Sequence, residues 1–508
     1  MSSNVVRLQR SPGAPLSNAT LPLHSKLVAV PEYDRASLER SIVHIGLGNF
    51  HRAHQAVYFD DLAARGISRD WGITGVSLRH RRMKACLSAQ DGLYTVVQRS
   101  QGQDTARIVG SICQSYYAGE DRSAVLAALT DERTRIVTLT ITGDGYCVDD
   151  RTGQFDRSRG DALGELHTLN HFSSAWAYLA EALYERRRAG VAPFTVMSCD
   201  NVQENGQAAR SALLSFTELR DPSLSRWIDR NVAFPSTMVD RITPKTGPAE
   251  RDFVESVFGV ADRSPVLAEP FRQWIIEDQF CHGRPPLEEV GVEFVSDVGP
   301  HKLVKTRVLN GSHCAIAYLA ILAGHKQVDQ ALRDPILGGY VRQLIRDEIA
   351  PLLPAVPGLD LDDYCATVID RFGNPRITDQ LSRLAARGST KMPTYLLPSL
   401  HEAIAAGRPH TLLTLAVAGW FRYLRGTDLT GRPIEIDDPQ SDLLKTLATT
   451  GQNNPEPLLR HHDIFSTLPS APGFVNRLRQ TIDEIDTHGV ATTLRRHLTA
   501  SRKELVGK

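Results

Sequence analysis

The sequence predicts an α/β protein: a Rossmann-type, doubly wound N-terminal domain followed by a mainly α-helical C-terminal domain. Three observations support this fold. Short β-branched runs alternate with helical apolar spacing in the first part of the chain, a glycine turn follows the first run, and strand-like alternation is scarce after about residue 290. Because 508 residues exceed one ordinary core, two domains are expected.

The strands and helices follow from these patterns. Residues 42–45 form the first β-branched run, Gly46-Leu47-Gly48 ends it, and residues 53–62 have helical spacing. Further elements of the first domain are predicted as buried strands at 73–78, 136–141 and 194–198 and a helix at 173–188. Helices of the second domain are predicted at 309–323, 336–349, 361–372, 395–406, 412–424 and 474–485. We therefore expect a flexible arm at 1–20, a dinucleotide-binding domain at 21–295 and a helical substrate domain at 296–508.

Composition excludes several function classes. Lys+Arg and Asp+Glu number 58 each, so no net charge attracts nucleic acid or an anionic membrane. The seven cysteines are scattered without a Cys-x-x-Cys pair, which argues against a disulfide framework or a structural zinc site. Residues 1–22 contain no apolar core of signal-peptide length, and no window elsewhere approaches the length of a membrane span. We expect a cytoplasmic protein with a small-molecule partner.

The glycine turn is the candidate cofactor site. Gly46-x-Gly48 lies between a strand and a helix, where backbone amides can hold a pyrophosphate. His51 stands where the usual fingerprint has its third glycine, so an ordinary tight β-α turn remains an alternative. The residues assigned to cofactor binding are Ile45, Gly46, Leu47, Gly48, Phe50, His51, Arg52 and Arg79.

The choice between NAD and NADP is read after the second strand. An acid there would bind the adenosine ribose hydroxyls, whereas a basic residue would meet a 2′-phosphate. This chain has Leu78-Arg79-His80-Arg81-Arg82, without an acid. NAD is the expected cofactor and NADP(H) is an alternative, as is a solvated turn in which the arginines bind nothing.

Lys305, Asn310 and His313 form the candidate catalytic cluster. On a helix Lys305 and His313 differ by about 80° of arc, and Asn310 and His313 share a face, so the three can line one wall of a ligand cleft. A desolvated lysine can remove the proton of an alcohol during hydride transfer, and an asparagine amide can stabilise the alkoxide. An alternative is that Lys305 is a surface lysine and His313 an ordinary helix histidine, without a catalytic role.

Other dehydrogenase chemistries fit less well. None of the 13 tyrosines is followed four residues later by lysine, which removes the tyrosine-lysine couple of short-chain reductases. The chain also lacks a convincing cysteine and histidine set for catalytic zinc. If the protein is an oxidoreductase, Lys305 is the best available base.

Several separated motifs of this chain are distinctive when taken together. They are Ile42-Val43-His44-Ile45-Gly46-Leu47-Gly48-Asn49-Phe50-His51-Arg52-Ala53-His54-Gln55, Thr140-Ile141-Thr142, Gly145-Tyr146-Cys147, Phe194-Thr195-Val196-Met197-Ser198-Cys199-Asp200-Asn201, Met238-Val239-Asp240-Arg241-Ile242-Thr243-Pro244, Glu269-Pro270-Phe271 and Leu309-Asn310-Gly311-Ser312-His313. These motifs resemble the polyol-specific long-chain dehydrogenases, the mannitol dehydrogenase family. The resemblance runs from about residue 21 to about residue 498.

The resemblance implies roles for individual residues. The family pattern Lys-x4-Asn-x2-His falls on the base Lys305, the oxyanion donor Asn310 and the substrate-binding His313. It implies in addition that Asn201 holds the reacting oxygen from the other side. The residues it implies for binding the substrate are Asp240, Arg383 and Lys391. It further implies a metal-independent enzyme that is a monomer or a weak homo-oligomer.

The implied reaction is the interconversion of D-mannitol and D-fructose with a nicotinamide dinucleotide. Alternatives within the family are fructuronate reductase and D-arabinitol dehydrogenase, and a non-enzymatic alternative is a dinucleotide-binding sensor. The chain departs from the mannitol dehydrogenases at Lys302 and Gly143, where carboxylates are usual, and at His80-Arg81-Arg82, which replaces the usual acids. These departures affect proton exchange with solvent and the choice of cofactor.

Overall fold

The computed structural model describes residues 13–147, 156 and 172–506. The chain forms two compact units, which divide between Gly299 and Pro300. No helix in the described part of the chain combines the length and the apolar character needed to cross a bilayer.

The strands lie in the first unit. Those described are β1 (Ala14–Pro15), β2 (Ile42–Ile45), β3 (Ile73–Ser77), β4 (Tyr94–Gln98), β5 (Thr105–Val109), β6 (Ile112–Tyr117), β7 (Ile136–Leu139), β8 (Thr195–Ser198), β9 (Thr237–Asp240), β10 (Val260–Ala261), β11 (Val266–Ala268), β12 (Gln273–Glu277) and β13 (Glu293–Val295). The helices described with them are α1 (Leu21–His24), α2 (Asn49–Ala53), α3 (Gln55–Ala64), α4 (Arg81–Ser88), α5 (Arg122–Thr130), α6 (Ala175–Ala189), α7 (Asn205–Arg220), α8 (Pro222–Asn231) and α9 (Pro248–Phe258).

The main sheet confirms the doubly wound prediction. Its five strands are all parallel, in the order β6-β3-β2-β7-β8. Strands β3 and β6 lie on one side of β2, and β7 and β8 lie on the other side, so the strand order reverses beside β2. In open α/β sheets ligands bind outside the carboxyl ends of the strands at such a reversal. The glycine turn that follows β2 lies there.

Both faces of this sheet are covered, as a parallel sheet requires. Successive side chains of a strand point to opposite faces. Accordingly, Val43 and Ile45 of β2 join an apolar cluster built around α6, whereas Ile42 joins a second cluster that contains Trp274. Every residue of β2 is buried, which explains why three of its four residues are β-branched and apolar.

Three smaller β-structures complete the first unit. Strand β4 pairs with β5 in antiparallel and with β11 in parallel orientation, and β12 pairs with β9 and β13. Strand β1 pairs with β10, and Leu16 is buried beside this pair. The expectation of a flexible arm therefore does not hold for residues 13–20, because backbone pairing and an apolar anchor fix them; residues 1–12 lie outside the described range.

The second unit confirms the prediction of a mainly helical domain. Its α-helices are α10 (Gly299–Lys305), α11 (Ser312–Leu322), α12 (Val328–Arg333), α13 (Pro335–Gln343), α14 (Leu361–Phe372), α15 (Leu381–Ala385), α16 (Gly388–Lys391), α17 (Leu397–Ala405), α18 (Thr411–Tyr423), α19 (Ser441–Gly451), α20 (Glu456–Leu459), α21 (His462–Phe465) and α22 (Phe474–Val506). Three π-helical segments occur at Thr306–Gly311, Leu344–Ile349 and Met392–Leu396. The buried helix pair α11 and α18 forms the centre of its core.

Helix α22 is longer than its predicted segment because two helices follow one another. Gly489 leaves helical geometry with φ 75° and ψ 166°. The His497 Nε2 atom lies 2.9 Å from Glu484 Oε2, although a straight helix would separate these residues by about 20 Å. The chain therefore turns back at Gly489, and the second half packs along the first.

Two adjacent glycines of α13 offer a test of the packing. A Cβ atom at Gly338 would overlap the carbonyl oxygen of Leu332, whereas nothing lies within 4 Å of one at Gly339. We expect Gly339→Ala to raise the free energy of unfolding by about 0.5–1 kcal/mol, because alanine loses less backbone entropy in a helix. Gly338→Ala should lower it by about 1–3 kcal/mol through overpacking. Calorimetric unfolding of both variants checks this, and shifts of the same sign would contradict the packing of α13.

Candidate active site

The glycine turn after β2 depends on one close approach. Gly46 has φ +104°, and a Cβ atom there would overlap the carbonyl oxygen of Thr140 at the end of β7. Only glycine therefore fits this position. The Gly46 amide donates to Val76 O at 2.9 Å, and the Gly48 amide donates to Gly46 O at 2.7 Å. The turn is thus held against the strands on both sides of β2.

His51 replaces the third glycine with an aromatic stack. Its ring lies parallel to that of His44, with centroids 3.4 Å apart, and both are fully buried. His44 Nδ1 is 2.8 Å from Thr138 Oγ1 and its Nε2 is 3.0 Å from Thr140 Oγ1. Burial lowers the pKa of His44 to about 3 and holds the pKa of His51 well below its usual range. Both imidazoles are therefore neutral at neutral pH, and their stack packs against the buried side of the glycine turn.

Arg52 braces the same turn. Its buried guanidinium donates to Gly48 O at 3.3 Å, to Asn49 Oδ1 at 2.7 Å and to Ser264 O. Its side chain is thus directed at the turn and at the β10-β11 loop. Of the residues assigned to cofactor binding, Ile45, Leu47, His51 and Arg52 are buried, while Gly46, Gly48 and Phe50 are partly exposed.

The helix after the turn differs from its prediction. It begins at once with α2, breaks at His54, which has φ −123° and ψ −87°, and resumes as α3. His54 Nε2 is 2.8 Å from Gln273 O, and the side-chain amide of Gln55 is 2.9 Å from His54 Nδ1. This side-chain bonding to β12 gives the break a local cause that apolar periodicity does not reveal.

Basic side chains follow β3. Arg81 Nε pairs with Glu120 Oε1 at 3.0 Å, and Lys84 Nζ pairs with Asp121 Oδ2 at 2.5 Å. Both nearby acids are thereby neutralised. Arg79 is exposed and forms no ion pair within the described ranges. The basic residues 79–82 can therefore contact an anion. Among the described residues, the carboxylates near this segment are already paired with basic side chains and are not free to bind ribose hydroxyls.

The ends of β7 and β8 are joined through Asp200. Its carboxylate accepts the backbone N–H groups of Ile141 and Thr142, each at 2.9 Å. Thr142 has φ 65° and ψ 162°, a conformation that is almost restricted to glycine and costs about 1–3 kcal/mol. Asn201, the predicted partner of the reacting oxygen, is the next residue after Asp200 and is exposed. Asp240, predicted to bind substrate, is buried at the end of β9.

The second unit presents Lys305 at a π-helical turn. Lys305 ends α10 and is buried, and the segment Thr306–Gly311 that follows it contains Asn310, which is partly exposed. A π-turn bonds residues five apart. It therefore brings Lys305 and Asn310 closer to one face than the regular helix assumed from the sequence. Arg307 anchors the segment through Glu402 Oε1 at 2.7 Å and Ser399 Oγ at 2.9 Å.

His313 lies in a positively charged environment. Its ring stacks on Phe372 with centroids 3.9 Å apart. Burial, together with the charges of Arg383, Arg371, Lys391 and Lys305, holds the pKa of His313 well below its usual range. The imidazole is therefore neutral, and its buried Nε2 has no hydrogen-bond partner among the described residues.

The structure thus gathers four predicted residues of the second unit, Lys305, His313, Arg383 and Lys391. Lys391 Nζ donates to Arg383 O at 3.0 Å and to Leu384 O at 3.1 Å, and burial is the main cause that lowers its pKa. The Arg383 guanidinium pairs with Asp379 at 2.5 Å.

Sequence reasoning missed Arg371 and Phe372 at the end of α14. The sequence predicted the helix at residues 361–372, but it did not indicate that the end of this helix would lie beside His313. In the described part of the chain, no group of three or more His, Cys, Asp or Glu side chains is arranged to hold a metal ion.

Comparisons with known proteins agree with this architecture. Residues 40–289 match the model of the mannitol dehydrogenase Rossmann domain, and residues 297–486 match that of the mannitol dehydrogenase C-terminal domain. Mannitol 2-dehydrogenase of Aspergillus clavatus is 41% identical over 484 residues, covering 93% of this chain and 96% of that protein. Mannitol dehydrogenase 2 of Saccharomyces cerevisiae is 40% identical over 479 residues, covering 93% and 95%.

Two solved structures are similar over almost the whole chain. Pseudomonas fluorescens mannitol 2-dehydrogenase, in a ternary complex with NAD and D-mannitol, has 38% identity and a TM-score of 0.87, covering 96% of this chain and 100% of that one. A substrate-free D-sorbitol dehydrogenase has 34% identity and a TM-score of 0.86, covering 95% and 100%. The two domain models and the full-length relatives lead to one conclusion: this chain belongs to the mannitol dehydrogenase family.

Proposed function

We propose that this protein interconverts D-mannitol and D-fructose by hydride transfer with NAD, with Lys305 as the general base and without a metal. The observation that carries the proposal is the cluster in the second unit, where a buried lysine, an asparagine on a π-turn and a neutral histidine share one segment. The similarity to a structure that contains NAD and D-mannitol supports the choice of substrate and cofactor.

The residues after β2 fit a dinucleotide. Gly46 and Gly48 leave the backbone of the turn partly exposed, at the sheet position where pyrophosphates are held. A bound nicotinamide supplies the hydride acceptor. Within this proposal Gly46, Gly48 and Phe50 contact the cofactor, while Ile45, Leu47, His51 and Arg52 fix the shape of the turn beneath it.

Lys305 would remove the proton that oxidation releases. When the C2–H bond of the alcohol gives up its hydride, the hydroxyl proton passes to Nζ and the C–O bond becomes a carbonyl. Burial favours the neutral amine of a lysine, which is the form that accepts a proton. Lys305 is 6% exposed.

The remaining residues would hold the substrate. The amides of Asn310 and Asn201 can donate to the oxygen as negative charge develops. A neutral His313 with an unpaired Nε2 can exchange a hydrogen bond with a polyol hydroxyl. In our proposal Asp240, Arg383 and Lys391 bind the other hydroxyls.

One alternative substrate has a specific observation in its favour. The D-sorbitol dehydrogenase structure is nearly as similar in fold as the mannitol enzyme. D-sorbitol therefore joins D-mannitol in the oxidation panel, and the reduction panel contains fructose, fructuronate, tagaturonate and xylulose. Saturable cofactor binding without turnover of any member would favour a dinucleotide-binding sensor.

Replacement of Lys305 tests the base. Lys305→Ala should lower kcat by about 10²–10⁴-fold, because the positioned base is removed. Lys305→Arg should lose a similar factor, since a guanidinium keeps the charge but does not accept a proton at neutral pH. The NADH dissociation constant should stay near that of the wild type in both variants, and added methylamine should restore part of the Lys305→Ala turnover. Wild-type turnover in either variant would refute the assignment.

The exposed Arg79 tests the choice of cofactor. We expect fructose-dependent oxidation of NADH and a weaker oxidation of NADPH. Arg79→Ala should lower kcat/KM for NADPH by about tenfold more than for NADH, because a charge-assisted hydrogen bond to the 2′-phosphate is lost. Arg230→Ala, at another exposed arginine in α8, serves as the control and should affect both cofactors equally. An equal loss with both cofactors in Arg79→Ala would show that this arginine does not read the ribose.

A further inference from the structure

We propose that Asp200 is a positioning residue that fixes the end of β7 and the predicted oxygen-binding Asn201 relative to each other; this rests on the proposed function. One carboxylate oxygen accepts the Ile141 amide and the other accepts the Thr142 amide. The Tyr146 hydroxyl donates to the same carboxylate at 2.8 Å. Three donors from the chain after β7 therefore converge on one side chain of the chain after β8.

The backbone of Asp200 is fixed as firmly as its side chain. Its amide donates to Ser198 Oγ at 3.3 Å, and its carbonyl accepts from Asn205 Nδ2 at 3.0 Å. Asn205 Oδ1 in turn accepts the Thr237 amide at 3.0 Å, which ties this loop to β9. The residue directly before Asn201 therefore has little freedom, and the orientation of Asn201 depends on it.

The conformation of Thr142 shows what the carboxylate maintains. With φ 65° and ψ 162°, Thr142 occupies backbone space that suits glycine, and a threonine stays there only when its surroundings hold it. The two amide bonds to Asp200 hold the peptide groups on either side of this strain. A Cβ atom at the next residue, Gly143, would meet only Val202 Cγ2 at 4.0 Å, so crowding there does not explain the conformation.

The burial of the Asp200 carboxylate also costs folding free energy. The side chain is buried, burial is the main cause that raises its pKa, and no basic side chain of the described chain is paired with it. Glycine at position 142 would adopt the same backbone conformation without strain. Strained backbone and buried unpaired charge are retained together where geometry matters to function.

The test is a double-mutant cycle with Asp200→Asn and Thr142→Gly. The amide of asparagine has one acceptor oxygen, and its NH₂ group would face a backbone N–H, so one of the two bonds is lost. We expect Asp200→Asn to lower kcat for fructose reduction by about 10- to 100-fold, because reacting groups are misplaced. The NADH dissociation constant should change by less than about threefold, since the turn after β2 makes its own contacts.

In the Thr142→Gly background the loss caused by Asp200→Asn should shrink by roughly threefold or more, because glycine needs no clamp to hold this conformation. Asp262→Asn is the matched control. Asp262 is another buried carboxylate, and it accepts the amides of Thr95 at 2.5 Å and Ser264 at 2.7 Å. The loss that it causes should be the same in both backgrounds.

Equal losses of kcat from Asp200→Asn in both backgrounds, or an effect confined to the melting temperature, would overturn the proposal.

If Asp200→Asn does not fold, Tyr146→Phe replaces it, because this change removes one donor and leaves both backbone hydrogen bonds. The kcat of Tyr146→Phe should fall while its NADH affinity stays unchanged. Amide hydrogen exchange of residues 140–142 reports on the clamp without turnover. If the wild type transfers hydride to or from no member of the substrate panel, the proposed function is wrong. If the amide hydrogen-exchange rates of residues 140–142 are unchanged in Asp200→Asn, the proposed role of Asp200 is wrong.

Discussion

The backbone of Gly46 lies against the carbonyl of Thr140, and the rest of the first unit is arranged around that approach. It joins the turn after β2 to the end of β7 at the point where the strand order reverses. The His44 and His51 stack fills the space beneath the turn, and Arg52 closes its side. From Thr140 the same chain runs two residues further to strained Thr142, which Asp200 holds. One edge of the sheet thus carries the candidate cofactor turn and the residues around Asn201.

A different constraint organises the second unit. The π-turn after Lys305 changes the angular spacing of the helix where the predicted base and oxyanion donor lie. A second π-segment, Met392–Leu396, packs against it: a Cβ atom at Gly311 would lie 2.9 Å from the carbonyl oxygen of Tyr395. Such turns are less stable than regular helix and occur frequently at functional sites. Around this segment burial, and secondarily the basic side chains of Arg383, Arg371 and Lys391, hold the pKa of His313 well below its usual range.

Periodicity in the sequence was sufficient for the fold class and for many elements. Four of the five parallel strands of the sheet were predicted, because complete burial favours β-branched runs, whereas β6, which is only partly buried, was missed. The helix at Leu361–Phe372 has its predicted bounds. The break at His54 and the reversal at Gly489 were missed, because side-chain bonding and a single glycine cause them. The candidate site residues came from motif resemblance, and their catalytic roles stay predictions. The Thr142 strain and the Asp200 clamp arise from contacts between distant segments, which one sequence does not reveal.

The central claim is that Lys305 in its neutral form takes a proton from the polyol. The pH dependence of kcat/KM for D-mannitol oxidation, compared between the wild type and Lys305→Ala, tests it most directly. A single base predicts a wild-type profile that rises with pH and then levels off, and this rise should vanish in the variant. A rising limb of unchanged position in Lys305→Ala would mean that another group accepts the proton, and would contradict the account.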